Sequence, residues 1–164
     1  MNGTDKKYYD YGMPMTKEYE GFGRPGRPGQ VYTDTTGNPT VGWGFNLNDP
    51  EMRKHIPVDV ISGKRALTEE EAQPIFMQRY TQAAKDAVSY LGADNILKLD
   101  PERQAILVDM AYNLGATKLS EFVKMREAIL AGDYQRAASE MKDSKWYKQT
   151  GRRAKQHVLK FGAK

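Results

Sequence analysis

The chain has 164 residues, a net charge of +4 and no cysteine, which excludes a disulfide scaffold, a thiol nucleophile and any Cys-ligated zinc or iron–sulfur site. Mean hydropathy is −0.75, and no apolar run approaches the ~20 residues that a membrane span requires. His55 and His157 are the only imidazoles and no HExxH pair is present, so neither a membrane span nor a metal centre is expected.

In chain order, residues 1–15 read as a polar, tyrosine-rich arm (Tyr8, Tyr9, Tyr11). The arm lacks the apolar core of a signal peptide, so no export address is expected. Residues 16–66 hold Gly, Pro and Thr at densities that break long helices and are expected to form a small lobe. Within it, residues 30–33 and 39–45 read as short strands joined around Thr36-Gly37-Asn38. The tandem Arg-Pro-Gly from Arg24 to Gly29, the one internal repeat, reads as a loop.

From Thr68 the pattern turns helical. Thr68-Glu69-Glu70-Glu71 is a capping box, and apolar residues at helical spacing run to Leu91, with Pro74 expected to kink the second turn. This stretch, 67–91, is read as a connecting helix. Residues 92–164 are read as a helical lobe, with Asp100-Pro101 a helix start and Gly115 its stop. Further starts are expected at Ser120, Asp133 and about Gly151, and Trp146 and Tyr147 are assigned to this lobe's core. The expected class is α+β, mainly α, in a single domain with a cleft between the lobes. The last 21 residues contain seven Lys/Arg and no Asp/Glu, a surplus that suits an anionic partner without choosing among nucleic acid, membrane surface and bacterial wall.

Two carboxylates across a cleft are the minimal kit for glycoside hydrolysis. One holds a proton for the leaving oxygen, and the other stays ionised to handle water or the oxocarbenium charge. Glu20 at a helix end and Asp34 in a hairpin are such a pair, and the Thr40 hydroxyl follows six residues after Asp34. Spacing alone leaves many equivalent pairs open. Glu18 competes with Glu20, but a two-residue offset turns it to another helix face.

The run Glu20-Gly21, Tyr32-Thr33-Asp34, Gly37, Thr40-Val41-Gly42-Trp43-Gly44 resembles the phage-type lysozymes, the endolysins and virion muramidases of glycoside hydrolase family 24. A second block agrees: Asn113-Leu114-Gly115, Phe122 and the Trp146-Tyr147-Lys148-Gln149-Thr150-Gly151-Arg152-Arg153-Ala154 run. The resemblance extends from about Thr16 to about Phe161 and implies a lysozyme-like fold. It further implies a muramidase cleaving the β-1,4 bond between N-acetylmuramic acid and N-acetylglucosamine with inversion. Glu20 would be the general acid, Asp34 the second carboxylate, and Thr40 the residue that helps hold the attacking water. Arg153 matches the arginine near the acid, and Tyr112, Asn113, Asn46, Met125 and Glu140 fall at substrate-contact positions.

Two departures stand out. Glu20 and Asp34 lie fourteen residues apart, a longer spacing than is common in the family, and the excess coincides with the Arg24–Gly29 repeat. A Gly/Pro-rich bulge there can absorb it without moving either carboxylate. After Gly44, where many members carry His, this chain has Phe45-Asn46-Leu47. Arg24 and Arg27 either line the site and meet carboxylates of stem peptides or belong to a solvated loop. No cofactor is implied; the expected partner is bacterial peptidoglycan, bound by a monomer with no specific nucleic-acid partner. The protein is expected to be made in the host cytoplasm and to act at the wall, as a free endolysin or virion-associated. The alternative is a non-catalytic peptidoglycan-binding virion module.

Overall fold

A computed structural model describes residues 3–164, with side chains from Tyr9 onward. The elements in chain order are α1 (Gly3–Glu20), β1 (Gly23–Arg24), β2 (Arg27–Pro28), β3 (Tyr32–Thr33), β4 (Pro39–Val41), β5 (Phe45–Asn46), α2 (Pro50–Arg53), α3 (Val58–Ile61) and α4 (Glu69–Leu91). They continue with α5 (Ala93–Ile96), α6 (Pro101–Leu114), α7 (Ala116–Ser120), α8 (Val123–Leu130), α9 (Tyr134–Lys142), α10 (Lys145–Thr150) and α11 (Arg152–Gly162). The class is α+β, mainly α, as expected. The chain divides into two compact units, one of Thr16–Arg79 and one of Tyr80–Lys164 with the residues up to Met15.

In the Thr16–Arg79 unit, β1 and β2 form a two-stranded antiparallel hairpin, and β3-β4-β5 form a three-stranded antiparallel sheet. The register places Tyr32 opposite Thr40 and Thr40 opposite Asn46, so these three side chains line up on one face. The single strand expected over 39–45 is instead β4 and β5 folded back on each other. Gly42 (φ 62°) and Gly44 (φ 76°) adopt the left-handed backbone that such a tight turn requires. The Arg-Pro-Gly repeat is likewise a hairpin rather than a loop, turned at Pro25-Gly26. Val41, Phe45, Leu47, Leu67 and Phe76 are the buried centre, with Trp43 packed against Phe22 and Phe76 (ring centroids 4.8 and 5.5 Å). The α4 capping box forms reciprocally: the Glu71 N–H donates to Thr68 Oγ1 and the Thr68 N–H to Glu71 Oε1, both at 3.1 Å.

The other unit is built around α6. Every residue from Gln104 to Tyr112 is buried, which is how a helix apolar on all sides behaves when other helices surround it. Each large aliphatic side chain so buried contributes roughly 1.5–3 kcal/mol. Its ends follow the sequence signals: the Asp100 carboxylate accepts from the Arg103 N–H at 3.2 Å, and Gly115 ends it at φ 83°. Arg103 also fastens the end of α11, donating through Nε to the Phe161 carbonyl at 2.8 Å and through Nη2 to that of Ala163.

Two expectations are corrected here. The described part of the N-terminal arm, for which the sequence predicts no element, is the start of α1. Gly12, inside α1, is where the Tyr80 hydroxyl comes too close for a Cβ, so it serves packing. Ser120 does not start a helix; it ends α7, its hydroxyl bonded back to the Thr117 carbonyl at 2.5 Å, and α8 begins at Val123.

One polar cluster lies inside the α6 packing. Asp109 and His157 are fully buried and Arg153 is 7% exposed. Arg153 Nε and Nη2 donate to the two Asp109 oxygens, each at 2.7 Å. The His157 Nε2–H donates to Asp109 Oδ2 at 2.5 Å, the only polarity an ionised carboxylate permits. Trp146 stacks on His157 at 6.2 Å. Burial pushes the Asp109 carboxyl upward, but the Arg153 charge and the bonds from His157 and Arg153 outweigh it and hold it well below the usual range. A depressed carboxylate contributes stability above its unfolded pKa of about 3.9, lost as pH falls below that value. Removing one member of a buried pair costs about 3–5 kcal/mol. Asp109→Asn is therefore expected to lose about that much in urea unfolding at pH 7 and to show a shallower loss of stability below pH ~4 than the parent.

Candidate active site

Glu20 is the last residue of α1. The helix stops there because Gly21 takes a left-handed conformation (φ 69°), its N–H closing on the Lys17 carbonyl at 2.9 Å. Glu20 is half-buried whereas Glu18 is exposed. The Glu20 carboxylate packs on the open face of Gly44: a Cβ there would overlap Oε2 and lie 2.9 Å from Cδ. Lys17, one turn earlier, sits over the Trp43 ring at 4.2 Å and the Phe76 ring at 5.0 Å. The residues flanking the β4–β5 turn thus hold both the helix end and its carboxylate.

The β1–β2 hairpin absorbs the long Glu20–Asp34 spacing. The Gly29 N–H donates to the Phe22 carbonyl at 3.0 Å, closing the excursion at its base so that the chain re-enters beside where it left. Leu67 then locks Gly29 in place, its N–H on the Gly29 carbonyl at 2.8 Å.

Asp34 follows β3 and opens a turn, with the Gly37 N–H on its carbonyl at 3.1 Å. Its Oδ1 accepts three bonds: from the Thr36 N–H at 2.9 Å, the Thr36 hydroxyl at 2.8 Å and the Asn38 N–H at 2.8 Å. Oδ2 has no hydrogen-bond partner among the described residues. Partial desolvation pushes the Asp34 carboxyl up, but the bonds from Asn38 and Thr36 outweigh it and leave the carboxyl below its ordinary value. Thr40 is 3% exposed, and its hydroxyl donates to the Asn38 carbonyl at 3.0 Å. Asn38 therefore joins the second carboxylate to the threonine through its own main chain.

Tyr32 lies in the field of both carboxylates. Burial and the Glu20 charge raise its hydroxyl pKa, Arg24 opposes them, and Asp34 adds to the rise. Asn46, opposite Thr40 in the sheet, accepts the Asn48 N–H on Oδ1 at 2.9 Å, and Asn48 Nδ2 donates to Asn38 Oδ1 at 2.9 Å. The structure thus groups Glu20, Asp34, Thr40 and Asn46 around one small sheet.

The remaining expected residues belong to the helical unit. Arg153 holds Asp109 with two of its nitrogens. Tyr112 and Met125 are 2% and 1% exposed and lie in the core. Asn113 is exposed, its Oδ1 accepting the Trp146 indole N–H at 2.9 Å, and Glu140 is half-exposed. Sequence reasoning missed Tyr32, Thr36, Asn38 and Asn48. Their signal was present in the Asp34-Thr35-Thr36-Gly37 turn, with Asp first and Gly fourth, where a carboxylate caps its own backbone.

The phage lysozyme family model matches residues 17–160. The chain is 29% identical over 136 residues to the pre-baseplate central spike protein Gp5 of Enterobacteria phage T4, an alignment covering 76% of this chain and 24% of that protein. It thus spans about a quarter of that relative's length. It is 25% identical over 145 residues to the probable T4-type lysozyme 2 of Dictyostelium discoideum, covering 80% of this chain and 85% of the other. The matched residues 17–160 contain both carboxylates, Thr40, Asn46 and the Trp146–Ala154 run: the chain belongs to the phage lysozyme family.

Proposed function

We propose that the protein is a muramidase that hydrolyses the β-1,4 bond between N-acetylmuramic acid and N-acetylglucosamine in bacterial peptidoglycan, with inversion. The observation that carries this reading is the contrast between the two carboxylates. Glu20 is half-buried at a helix end against Gly44, while Asp34 is kept ionised by three donors on one oxygen.

Glu20 gives its proton to the glycosidic oxygen as the bond to the anomeric carbon breaks. Asp34 accepts a proton from water through Oδ2. The Thr40 hydroxyl, its own hydrogen committed to the Asn38 carbonyl, offers a lone pair to the water's second hydrogen. With both hydrogens engaged, a water lone pair is left to attack from the side opposite the leaving group. Asn46, Asn113 and Glu140 are polar groups for the sugar hydroxyls and N-acetyl amides. The chemistry needs placed carboxylates and water and calls for no cofactor.

A virion-borne route to the wall is a second element of the proposal, favoured over a free endolysin by the similarity to a phage spike protein. Detection of the chain in purified virions by mass spectrometry checks it; recovery only from the soluble lysate would overturn that route.

Three assays test the chemistry. Glu20→Gln is expected to lower the rate on purified peptidoglycan by about 10³-fold, within the ~10²–10⁴-fold that general acid catalysis supplies; full activity would end the reading and leave a wall-binding module. Proton NMR of fresh product is expected to show the α-anomer first. Thr36→Val removes one donor from Asp34 Oδ1, so the carboxyl pKa rises and the acid limb of the kcat/KM profile moves to higher pH. An unmoved limb would remove Asp34 from the role of base.

A further inference from the structure

The β1–β2 hairpin carries a feature that the two-carboxylate chemistry does not use. Its register sets Arg24 directly opposite Arg27. Like charges at paired positions on neighbouring strands repel and weaken the pairing. Here the repulsion is uncompensated: both arginines are exposed, and neither forms an ion pair with an acid among the described residues. Arg24 is nevertheless held in one orientation. Its Nη2 donates to the Thr33 carbonyl at 2.8 Å, and its guanidinium carbon lies 5.0 Å from the Tyr32 ring centre. The anchor leaves Nε and Nη1 without a hydrogen-bond acceptor among the described residues. The cation therefore stands over Tyr32, the ring that lies in the field of Glu20 and Asp34, and forms an ion pair with neither.

A residue meant only to fasten the hairpin to β3 does not need a second arginine across the strand. A residue meant to steady the catalytic carboxylates would pair with them. The geometry points to a third role: Arg24 and Arg27 form a carboxylate-binding subsite, at which the polymer's own acid groups dock beside the reacting sugars. An anion shared by the two guanidiniums relieves their repulsion, and the planar N–H forks suit a carboxylate in particular. This inference rests on the peptidoglycan reading and names the part of that substrate the hairpin recognises. Two carboxylates of the polymer share this chemistry, those of the stem peptides and the lactyl group of a peptide-free muramic acid.

The test compares three substrates with the full chain. They are intact peptidoglycan, peptidoglycan whose carboxyls have been converted to methylamides, and glycan strands stripped of peptides by an amidase. The wild-type protein is expected to prefer intact over methylamidated wall in kcat/KM. In Arg24→Gln/Arg27→Gln that preference falls about ten-fold, mainly through KM, in line with the loss of charge-assisted hydrogen bonds at an exposed site. Arg24→Lys/Arg27→Lys, which keeps the charge and loses the fork, is expected to lie between. A fall on intact wall alone assigns the stem-peptide carboxylates; an equal fall on stripped strands shows that the subsite also takes the lactyl carboxylate set free there. The inference is overturned if the Gln variant keeps the wild-type preference, or if it loses activity equally on neutral and charged wall, as a hairpin fastener would. Glu20→Gln run on the same substrates keeps the outcomes apart, because full activity in that variant defeats the muramidase reading whatever the arginine variants do.

Discussion

Glu20 reaches the sheet because residue 44 has no side chain. The carboxylate occupies the volume that a Cβ would take, and the same residue needs a left-handed backbone to fold β5 back on β4. One glycine therefore satisfies two constraints, a tight turn and the close approach of an acid. Gly42, at the other side of that turn, leaves room for the Phe45 ring, which a Cβ would strike, and lies close to the Leu67 side chain. Once the turn is made, the register follows: Thr40 faces Asn46 on one side and Tyr32 on the other. The positions of the threonine, the asparagine and Tyr32 all descend from the turn that accommodates Glu20.

The molecule treats its two well-held aspartates in opposite ways. Asp109, inside the helical unit, is held by a guanidinium that brings compensating charge into a place water does not reach, and by an imidazole N–H. Removing a charge from water demands this, and the result is a rigid, structural carboxylate. Asp34 is stabilised by amides and a hydroxyl, which are neutral. Neutral donors lower a carboxyl pKa by hydrogen bonding to the charged form without cancelling its charge. They also converge on one oxygen, so the other remains able to accept a proton. The role of base proposed for Asp34 uses both properties, and a salt bridge would supply neither.

Much of the fold was legible because its signals are local. The Thr68/Glu71 box, the Asp100-Pro101 start, Gly115 and Asp133 all acted as caps, since each satisfies orphan groups within one turn. The errors arose where a glycine or proline serves something distant in sequence. Residues 39–45 looked like one strand because the reasons for Gly42 and Gly44, the Leu67 side chain and the Glu20 carboxylate, lie more than twenty residues away. The Arg-Pro-Gly repeat looked like a loop because strands of two residues carry no periodicity. In the site, Glu20, Asp34 and Thr40 were visible through their motif. The Asn38 link between the last two was not, because it runs through main-chain atoms that any residue possesses. Tyr112 and Met125 show the converse limit: a position can align with a contact site while its side chain is turned into the core.

The basic surplus of the chain also divides by depth. Arg153 counts toward the C-terminal excess, yet its charge is consumed by Asp109 within the packing, and Lys160 lies 3.8 Å from Glu102. Arg152 and Lys155 on α11 remain exposed. Exposed cations of this kind act over roughly the 8–10 Å of a Debye length and impose no geometry on what they attract. The hairpin arginines differ because one is fixed by a carbonyl and an aromatic ring. A fixed fork discriminates among the orientations of a carboxylate, which a mobile lysine does not. Net charge is therefore a poor guide to recognition in this chain: the fork held in one orientation lies in a six-residue hairpin, whereas the exposed α11 cations carry charge without a set geometry.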